Sequence, residues 1–221
     1  MILHLISDRH RLAGAAVDHA LEFSCLEQQV RYAVEARIDV VQIRERDLEG
    51  KRLASLVRQI RAITAGTRTR VVVNDRVDVA VAAGADGVHL RGDSMPATAV
   101  RTIVPRGFLV GRSIHSGDDV EAAGREVDYL IAGTVWATSS KSNGAAMLGP
   151  EGLAKIVAAA RVPVLAIGGV TEARVREVAA TGAAGIAAIG LFMRQGIEPG
   201  CRATRLLELV QSIRGRCDNG L

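Results

Sequence analysis

Short apolar runs recur along the chain, and stretches with a helical period of apolar positions lie between them. Eight of the short apolar runs alternate with eight of the stretches of helical period. This alternation predicts parallel strands that are joined and covered by helices. The predicted strands are residues 2–6, 38–43, 71–73, 87–90, 108–110, 129–132, 164–167 and 185–189, and the predicted helices are residues 25–36, 51–64, 77–83, 97–104, 118–125, 149–160, 172–180 and 202–213.

Eight strand–helix units predict an α/β fold, a single-domain (β/α)8 TIM barrel over residues 1–213, with residues 214–221 as a frayed tail. The alternative is a doubly wound open sheet, which would be expected to carry a glycine-rich dinucleotide loop after its first strand. The residues after Ile6 contain no such loop, so the pattern favours the barrel. Residues 10–24 lie outside the repeating pattern, which leaves open whether they form a lid or a surface loop.

Composition narrows the class of protein. Hydrophobic residues make up 48% of the chain but aromatic residues only 3%, so the core must be aliphatic. No apolar run reaches the length of a membrane span, and the amino terminus does not resemble a signal peptide, so we expect a cytoplasmic protein. Cys25, Cys201 and Cys217 are too far apart for a metal site or a disulfide framework. The net charge of +4 fits small anionic substrates, and nucleic acid is not a predicted partner because no basic patch is interleaved with aromatic residues.

Polar residues concentrate at the carboxyl ends of the predicted strands. In a barrel these ends all open on one mouth, where the catalytic residues of such folds lie. The residues that enter the strands carry little reactive chemistry, so we expect the site at the mouth. The candidates are Gln42, Arg44, Arg46, Asn74, Asp75, His89, Asp93, Ser113, His115, Thr138, Ser140 and Lys141.

Two groups of residues at the carboxyl ends of the predicted strands point to a phosphorylated ligand. Gly168, Gly169 and Gly190, beside Ile189, follow the last two strands, where barrels bind phosphate through backbone N–H groups, although tight turns would use the same glycines. Thr138, Ser140 and Lys141 offer two hydroxyls and an ammonium to an anion, although a solvated connection often has the same composition.

Asp75 near the cations Arg44, Arg46 and Lys141 suggests a diphosphate bound with Mg²⁺, because magnesium usually needs one or two carboxylates beside phosphate oxygens. Asp75 could equally cap the helix that follows it. His89 and His115 are either proton carriers or make structural hydrogen bonds. The sequence contains no Ser/His/Asp order, histidine–cysteine metal cluster or P-loop.

The motifs at these strand ends resemble, in order, those of the thiamine phosphate synthase/TenI family. They include Gln42 to Arg46, Val73 to Asp78, Gly84 to Leu90, Gly111 to His115, Gly133 to Lys141 and Ala166 to Thr171. The resemblance implies a (β/α)8 barrel that joins a pyrimidine diphosphate to a thiazole phosphate, releases diphosphate and commonly dimerises. It also implies that Mg²⁺ is held by Asp75 and by a second aspartate, for which Asp93 is the nearest candidate.

Carried over by position, the resemblance gives each candidate a role. The pyrimidine diphosphate and its metal would be bound by Gln42, Arg44, Asn74, Asp75, Thr138, Ser140 and Lys141. Ser113 would line the pyrimidine pocket, and Gly169 and Gly190 would hold the thiazole phosphate. Arg44, Ser113, Lys141 and His115 are the candidate catalytic residues.

Two departures from the synthase pattern keep other functions open. Arg46 stands where the family has lysine, and Ser94 stands where it has the second aspartate, with Asp93 one position earlier. Both resemble the TenI branch, whose metal-independent thiazole tautomerases would use His115 as a proton carrier. Against that branch, Thr134 replaces a histidine found in some tautomerases, and Asp75 is retained. A non-catalytic, thiazole phosphate-binding regulatory barrel is the third alternative.

Overall fold

The eight strands form a closed barrel in chain order. The computed structural model describes residues 1–14, 19–117, 120–138, 147–193 and 201–218. Every neighbouring pair of strands is parallel, and the first strand pairs with the last, so the predicted (β/α)8 barrel is confirmed. The strands are β1 Ile2–Ile6, β2 Val40–Ile43, β3 Arg70–Asn74, β4 Gly87–Leu90, β5 Leu109–Ile114, β6 Tyr129–Ala132, β7 Val164–Ile167 and β8 Gly185–Ala188.

The helices follow the strands as predicted, and the largest differences are at the two ends of the chain. Asp8 caps a short helix by accepting a hydrogen bond from the Arg11 backbone, so the described part of residues 10–24 is mainly helical and not a loop. The last helix continues into the segment that was predicted to fray. The helices are α1 Arg9–Ala13, α2 His19–Glu35, α3 Gly50–Thr64, α4 Val77–Ala82, α5 Ala97–Arg101, α6 Val120–Ala123, α7 Gly149–Ala159, α8 Val175–Ala180 and α9 Arg202–Asp218, with a 3₁₀ turn at Glu172–Arg174.

The main core lies between the barrel and its helices, and α3 shows how the sequence builds it. Leu53, Leu56, Val57 and Ile60 recur at helical spacing and are all buried, whereas Arg52 faces solvent. Burying one such aliphatic side chain contributes about 1.5–3 kcal/mol. The apolar stripe therefore fixes which side of the helix meets the sheet.

Aspartates at the amino-terminal ends of the strands complete the hydrogen bonding of the barrel floor. Asp39, Asp86 and Asp128 each accept a backbone N–H from the neighbouring strand, at 2.7 to 2.8 Å. Each of these aspartates also forms a salt bridge with an arginine of a helix: Asp39 with Arg214, Asp86 with Arg61 and Asp128 with Arg101. These polar groups satisfy strand ends that would otherwise lack partners, so this side of the barrel is structural and the opposite mouth is available for chemistry.

Candidate active site

A cavity of about 1120 Å³ opens at the carboxyl ends of the strands. It brings together most of the residues that the sequence nominated; Asp75, Gly169 and Gly190 lie outside its lining, and Ser140 and Lys141 fall outside the described residues. The nominated residues that line the cavity are Gln42, Arg44, Arg46, Asn74, His89, Asp93, Ser113, His115, Thr138, Gly168 and Ile189.

The cavity is strongly cationic on one side. Arg44, Arg46, Arg91, Arg112 and Arg125 all line it. Burial lowers the pKa of Arg44, and repulsion from Arg46 lowers it further. A bound anion would relieve this repulsion, so the charge distribution favours a ligand with several negative charges.

The sequence places Arg91 and Arg112 at the carboxyl ends of predicted strands, although no role was predicted for either, and it does not place Arg125 at the mouth. Arg91 directly follows β4, and Arg112 lies within β5 after the apolar run that predicted this strand. Arg125 lies after the short helix α6, where an arginine ordinarily faces solvent, and no sequence signal marks it. Arg112 also holds the β4–α5 loop, because its guanidinium donates to the carbonyls of Gly92, Ser94 and Met95.

Arg44 and Arg46 reach the cavity because the residue between them is turned the other way. Glu45 is buried and accepts a hydrogen bond from the Ser7 hydroxyl, and this hydroxyl in turn accepts the Arg44 backbone N–H at 2.8 Å. Successive side chains of an extended segment point in opposite directions, so a buried Glu45 directs both arginines toward the mouth.

Behind this segment lies an ionic cluster, defined as Arg9, Glu22, Glu45 and Asp47, of which the first three residues are buried. The Arg9 side chain is 1% exposed; its Nε lies 3.1 Å from Glu22, and its Nη1 lies 2.9 Å from Glu45. The hydrogen bond to Asp47 is the main reason that the pKa of Arg9 is raised. Burial raises the pKa of Glu45, although bonds from Ser7 and Arg9 oppose this. The cluster joins the start of α1 to the loop that carries the two cavity arginines.

Asp75 lies beside the cavity with two partners of its own. Its Oδ1 accepts a hydrogen bond from the Ser94 hydroxyl, and its Oδ2 lies 3.7 Å from the Arg91 guanidinium. It does not cap α4, whose N-cap residue is Arg76 and has no side-chain capping bond, so the capping alternative is wrong. Asp93 is 70% exposed and pairs with Arg91. Ser94 therefore contacts Asp75 at the position where the family pattern has a second aspartate.

Below the cavity, the interior of the barrel is polar on one side. His4 Nε2 lies 3.0 Å from Gln42 Oε1, and Gln42 Nε2 donates to Asn74 Oδ1 at 3.0 Å. Because Gln42 uses its amine on Asn74, its oxygen must accept, so His4 carries its proton on Nε2. His4 Nδ1 is buried and has no hydrogen-bond partner among the residues that the structure describes. The chain of hydrogen bonds from His4 through Gln42 ends at Asn74, which lines the cavity.

The opposite wall of the cavity is aliphatic. Ile6, Ile131, Ile167 and Ile189 line it, and the first two belong to a buried cluster inside the barrel. A cation-rich wall facing an apolar wall fits a ligand with a charged phosphate end and a planar apolar ring.

Gly168 and Gly169 meet the conditions for a tight turn. Both residues have a positive φ. A Cβ atom at Gly168 would lie 2.5 Å from Thr134, and a Cβ atom at Gly169 would lie 2.6 Å from Trp136. Arg174 stacks over Trp136 at 5.0 Å and donates to the Gly169 carbonyl at 2.8 Å. The turn is therefore held in place by the loop after β6, and phosphate binding by these glycines stays a prediction.

His115 and Gly190 have neighbours that bear on their predicted roles. His115 Nδ1 lies 2.5 Å from the Gly133 carbonyl, so Nδ1 carries the proton and Nε2 is the acceptor nitrogen. A Cβ at Gly190 would lie 3.1 Å from the guanidinium of Arg11 on α1. The amino-terminal helix therefore brings a cation next to the predicted phosphate-binding glycine.

Two buried histidines should make the stability of the fold sensitive to acid. Burial lowers the pKa of His4 to about 4, although its bond to Gln42 opposes this; burial and repulsion from His4 lower the pKa of His89 well below its usual value. Below about pH 6.5 the unfolded chain binds protons that the folded chain does not, so stability falls as the pH falls. We expect each histidine to lower the free energy of unfolding by about 1.4 kcal/mol for each unit that the pH falls between 6.5 and 5.

Urea unfolding at pH 7.0, 6.0 and 5.0 measures this loss. His4→Gln removes one of the two groups and retains a side chain that can donate to Gln42. The variant should show about half of the wild-type loss between pH 6.5 and 5. An unchanged pH dependence in this variant would contradict the assignment of His4.

The fold and this cavity define the chain as a (β/α)8 barrel with its site at the carboxyl ends of the strands. The family described as thiamine monophosphate synthase matches residues 5–192. The chain therefore belongs to the thiamine monophosphate synthase family.

Relatives in this family are similar over most of the chain. A thiamine-phosphate synthase of Methanoculleus marisnigri is 42% identical over 167 residues, which are 75% of this chain and 79% of that protein. A putative thiamine-phosphate synthase of Geobacter sulfurreducens is 37% identical over 209 residues, 94% of this chain and 93% of that protein. The structure of thiamine phosphate pyrophosphorylase from Pyrococcus furiosus is similar, with a TM-score of 0.79, 32% identity and coverage of 99% of this chain and 96% of that chain.

Two features are absent from the described residues. Among these residues no helix combines the length and apolar character needed to cross a bilayer. Within the same ranges, histidine, cysteine, aspartate and glutamate nowhere gather in a group of three that could hold a metal ion.

Proposed function

We propose that the protein is a thiamine-phosphate synthase, which joins 4-amino-2-methyl-5-hydroxymethylpyrimidine diphosphate to thiazole phosphate and releases diphosphate. The observation that carries the proposal is the cavity itself, with arginines on one wall and isoleucines on the other. Membership of the family and the similarity to named synthases support the same reaction. A cytoplasmic location and a homodimer stay predictions.

The donor set beside the cavity fits Mg²⁺ in a one-carboxylate form. Asp75 supplies a carboxylate and Ser94 a hydroxyl, and magnesium is commonly held by one or two carboxylates together with substrate phosphate oxygens. Asp75 and Ser94 are thus the residues that would hold the ion. When bound, Mg²⁺ would neutralise negative charge on the diphosphate as it leaves. Asp93 is a less suitable ligand because it is 70% exposed and is hydrogen-bonded to Arg91 at 2.5 Å, whereas Asp75 lies 3.7 Å from that guanidinium.

The protein's own residues would act mainly by position and charge. Arg44, Arg46 and Arg91 would bind the diphosphate and stabilise the charge that develops when the C–O bond breaks. Gln42, Asn74 and Ser113 would orient the pyrimidine through hydrogen bonds, and the isoleucine wall would exclude water from the cation until the thiazole nitrogen reacts with it. This sequence of events requires no buried general base, which agrees with the lowered pKa of His4 and His89.

The proposal is tested by incubating the protein with both substrates, with Mg²⁺ and with excess EDTA. We expect thiamine phosphate and one equivalent of diphosphate with Mg²⁺, a large loss of rate in EDTA, and recovery when Mg²⁺ is added back. Asp75→Ala should lower the Mg²⁺-supported rate, and Asp93→Ala is the matched control because its carboxylate is bonded to Arg91. Turnover that persists in EDTA would remove the metal from the proposal.

One observation keeps the thiazole tautomerase as a second candidate. His115 lines the cavity with Nε2 as its acceptor nitrogen, so it could carry a proton without a metal. If no thiamine phosphate forms, isomerisation of the thiazole carboxylate phosphate should be measured with the wild type and with His115→Ala. Turnover that is lost in His115→Ala would establish the tautomerase, and binding of thiazole phosphate without turnover would leave a regulatory barrel.

A further inference from the structure

Strand register brings two aromatic side chains together under the cavity. His89 on β4 pairs with Gly111 on β5, and Gly111 pairs with Tyr129 on β6. A Cβ at Gly111 would lie 2.0 Å from Tyr129 Cζ, so the missing side chain is what gives the tyrosine ring its place. The rings of His89 and Tyr129 stack at 5.6 Å with an angle of 25° between their planes. The register therefore leaves a gap in the wall of the barrel interior, and the two rings fill it.

His89 connects Tyr129 to Ser113. The Tyr129 hydroxyl lies 3.3 Å from His89 Nδ1, and His89 Nε2 lies 2.9 Å from the Ser113 hydroxyl. His89 and Tyr129 are buried, and both His89 and Ser113 belong to the lining of the cavity. The three side chains thus form a hydrogen-bonded chain from the barrel interior to the site.

The donors and acceptors in this chain of hydrogen bonds are assigned by counting the protons that each group carries. A neutral imidazole has one N–H and one acceptor nitrogen. If Nδ1 carried the proton, the buried Tyr129 hydroxyl would have no acceptor among the described residues, and an unsatisfied buried donor is costly. With the proton on Nε2, Tyr129 donates to Nδ1 and Nε2 donates to Ser113. All the donors of the chain are then satisfied except the Ser113 hydroxyl, whose proton is left to point into the cavity.

We propose that His89 is a positioning residue that presents the Ser113 hydroxyl to the ligand as a hydrogen-bond donor, with Tyr129 selecting the tautomer. The site would then prefer a ring nitrogen with a free lone pair over a ring N–H at this position. The low pKa of His89 agrees with a neutral ring that does not exchange protons with the substrate. The identity of the ligand as the pyrimidine diphosphate rests on the proposed function; the direction of the hydrogen bonds does not.

Nitrogen-15 NMR of the histidine-labelled protein tests the tautomer without any substrate. We expect His89 to be neutral at pH 7 with its proton on Nε2, and His4 to give the same tautomer as an internal reference. The His89 signals are assigned by their loss in His89→Gln. Tyr129→Phe should bring the two tautomers of His89 closer in population, because the donor to Nδ1 is gone. A proton on Nδ1, or a charged ring at pH 7, would overturn the proposal.

Kinetics test the consequence for the ligand. Ser113→Ala should lower kcat/KM for the pyrimidine diphosphate about tenfold, as expected for one lost hydrogen bond, and Tyr129→Phe should lower it by about threefold to tenfold. The double variant should be no slower than Ser113→Ala, because both changes act through one hydroxyl. The KM for thiazole phosphate and the melting temperature should change little. Independent, multiplying effects would contradict the chain.

Two further variants separate positioning from packing. Tyr32→Phe removes the hydroxyl of the second tyrosine, which lies on α2 outside the barrel, and should behave as wild type. His89→Gln keeps a donor near the position of Nε2 and should retain more activity than His89→Leu, which has none. Equal activity of these two His89 variants would reduce His89 to a packing residue. If the wild type shows no turnover, the synthase proposal fails and the NMR result still decides the tautomer.

Discussion

Replacing Arg9 with methionine is expected to lower the free energy of unfolding by about 3–5 kcal/mol, because it leaves buried carboxylates without their counter-ion. Arg9 is 1% exposed and contacts Glu22, Glu45 and Asp47. Asp47 is half exposed and can be solvated, but Glu45 cannot. Urea unfolding at pH 8 measures the change, and activity should fall with it because the same cluster supports the segment that carries Arg44 and Arg46.

Two controls distinguish this effect from the loss of any ion pair. Arg125 pairs with Glu121 while both side chains are more than 70% exposed, so Arg125→Met should cost at most about 1 kcal/mol. In the Arg9→Met background, Glu45→Gln should recover part of the loss, because it removes the unpaired buried charge. The loss should also shrink on acidification, since a folded state with a raised Glu45 pKa gains a proton as the pH falls. A loss that is independent of both Glu45 and pH would contradict this account.

Replacing Arg44 with alanine is expected to lower kcat/KM for the pyrimidine diphosphate by about 10²- to 10³-fold, the usual effect of removing one stabiliser of developing negative charge. Arg44 is half-buried in the cavity, where burial and Arg46 already disfavour its charge. A diphosphate would meet a poorly hydrated guanidinium there, and such a contact is stronger than the same contact at the surface. Steady-state kinetics with varied pyrimidine diphosphate measure the effect.

A measurement of stability distinguishes the expected loss of activity in Arg44→Ala from unfolding of the variant. Because the folded state disfavours the charge on Arg44, the alanine variant should unfold within about 1 kcal/mol of the wild type. Arg44→Lys keeps a cation without the planar fork and should lie between the wild type and alanine. Arg52→Ala, on the exposed face of α3, is the matched control and should have wild-type kinetics. Arg44→Ala activity within threefold of the wild type would remove Arg44 from the site.

Most of the fold was predictable from local pattern. The apolar runs that became β1, β4, β6 and β7 were predicted at their observed limits, because buried parallel strands are continuously apolar. The fifth strand was predicted too short. Leu109–Ile114 includes Arg112 and Ser113, polar residues that a sequence pattern assigns to a loop and that the strand places on the cavity wall.

The site was predictable where it follows strand ends and unpredictable where it depends on distant contacts. Gln42, Asn74, Ser113 and Arg44 line the cavity as expected. His4 and Tyr129 lie inside apolar runs, and their polar groups matter only because the barrel interior brings them near Gln42 and His89. In the sequence Arg9 is one of the polar residues after the first strand, yet it is buried against carboxylates that are 13 to 38 positions away.

The sequence by itself determined the number and order of the strands, the covering faces of the helices and the end of the barrel that carries the polar chemistry. These follow from local periodicity and from the direction of parallel strands, both of which are encoded residue by residue. Only the tertiary structure decided that Ser94 bonds to Asp75, that Glu45 turns toward Arg9, and that Gly111 leaves room for Tyr129 beside His89. Those contacts depend on strand register and barrel closure, which relate residues far apart in the chain and leave no local periodic signal.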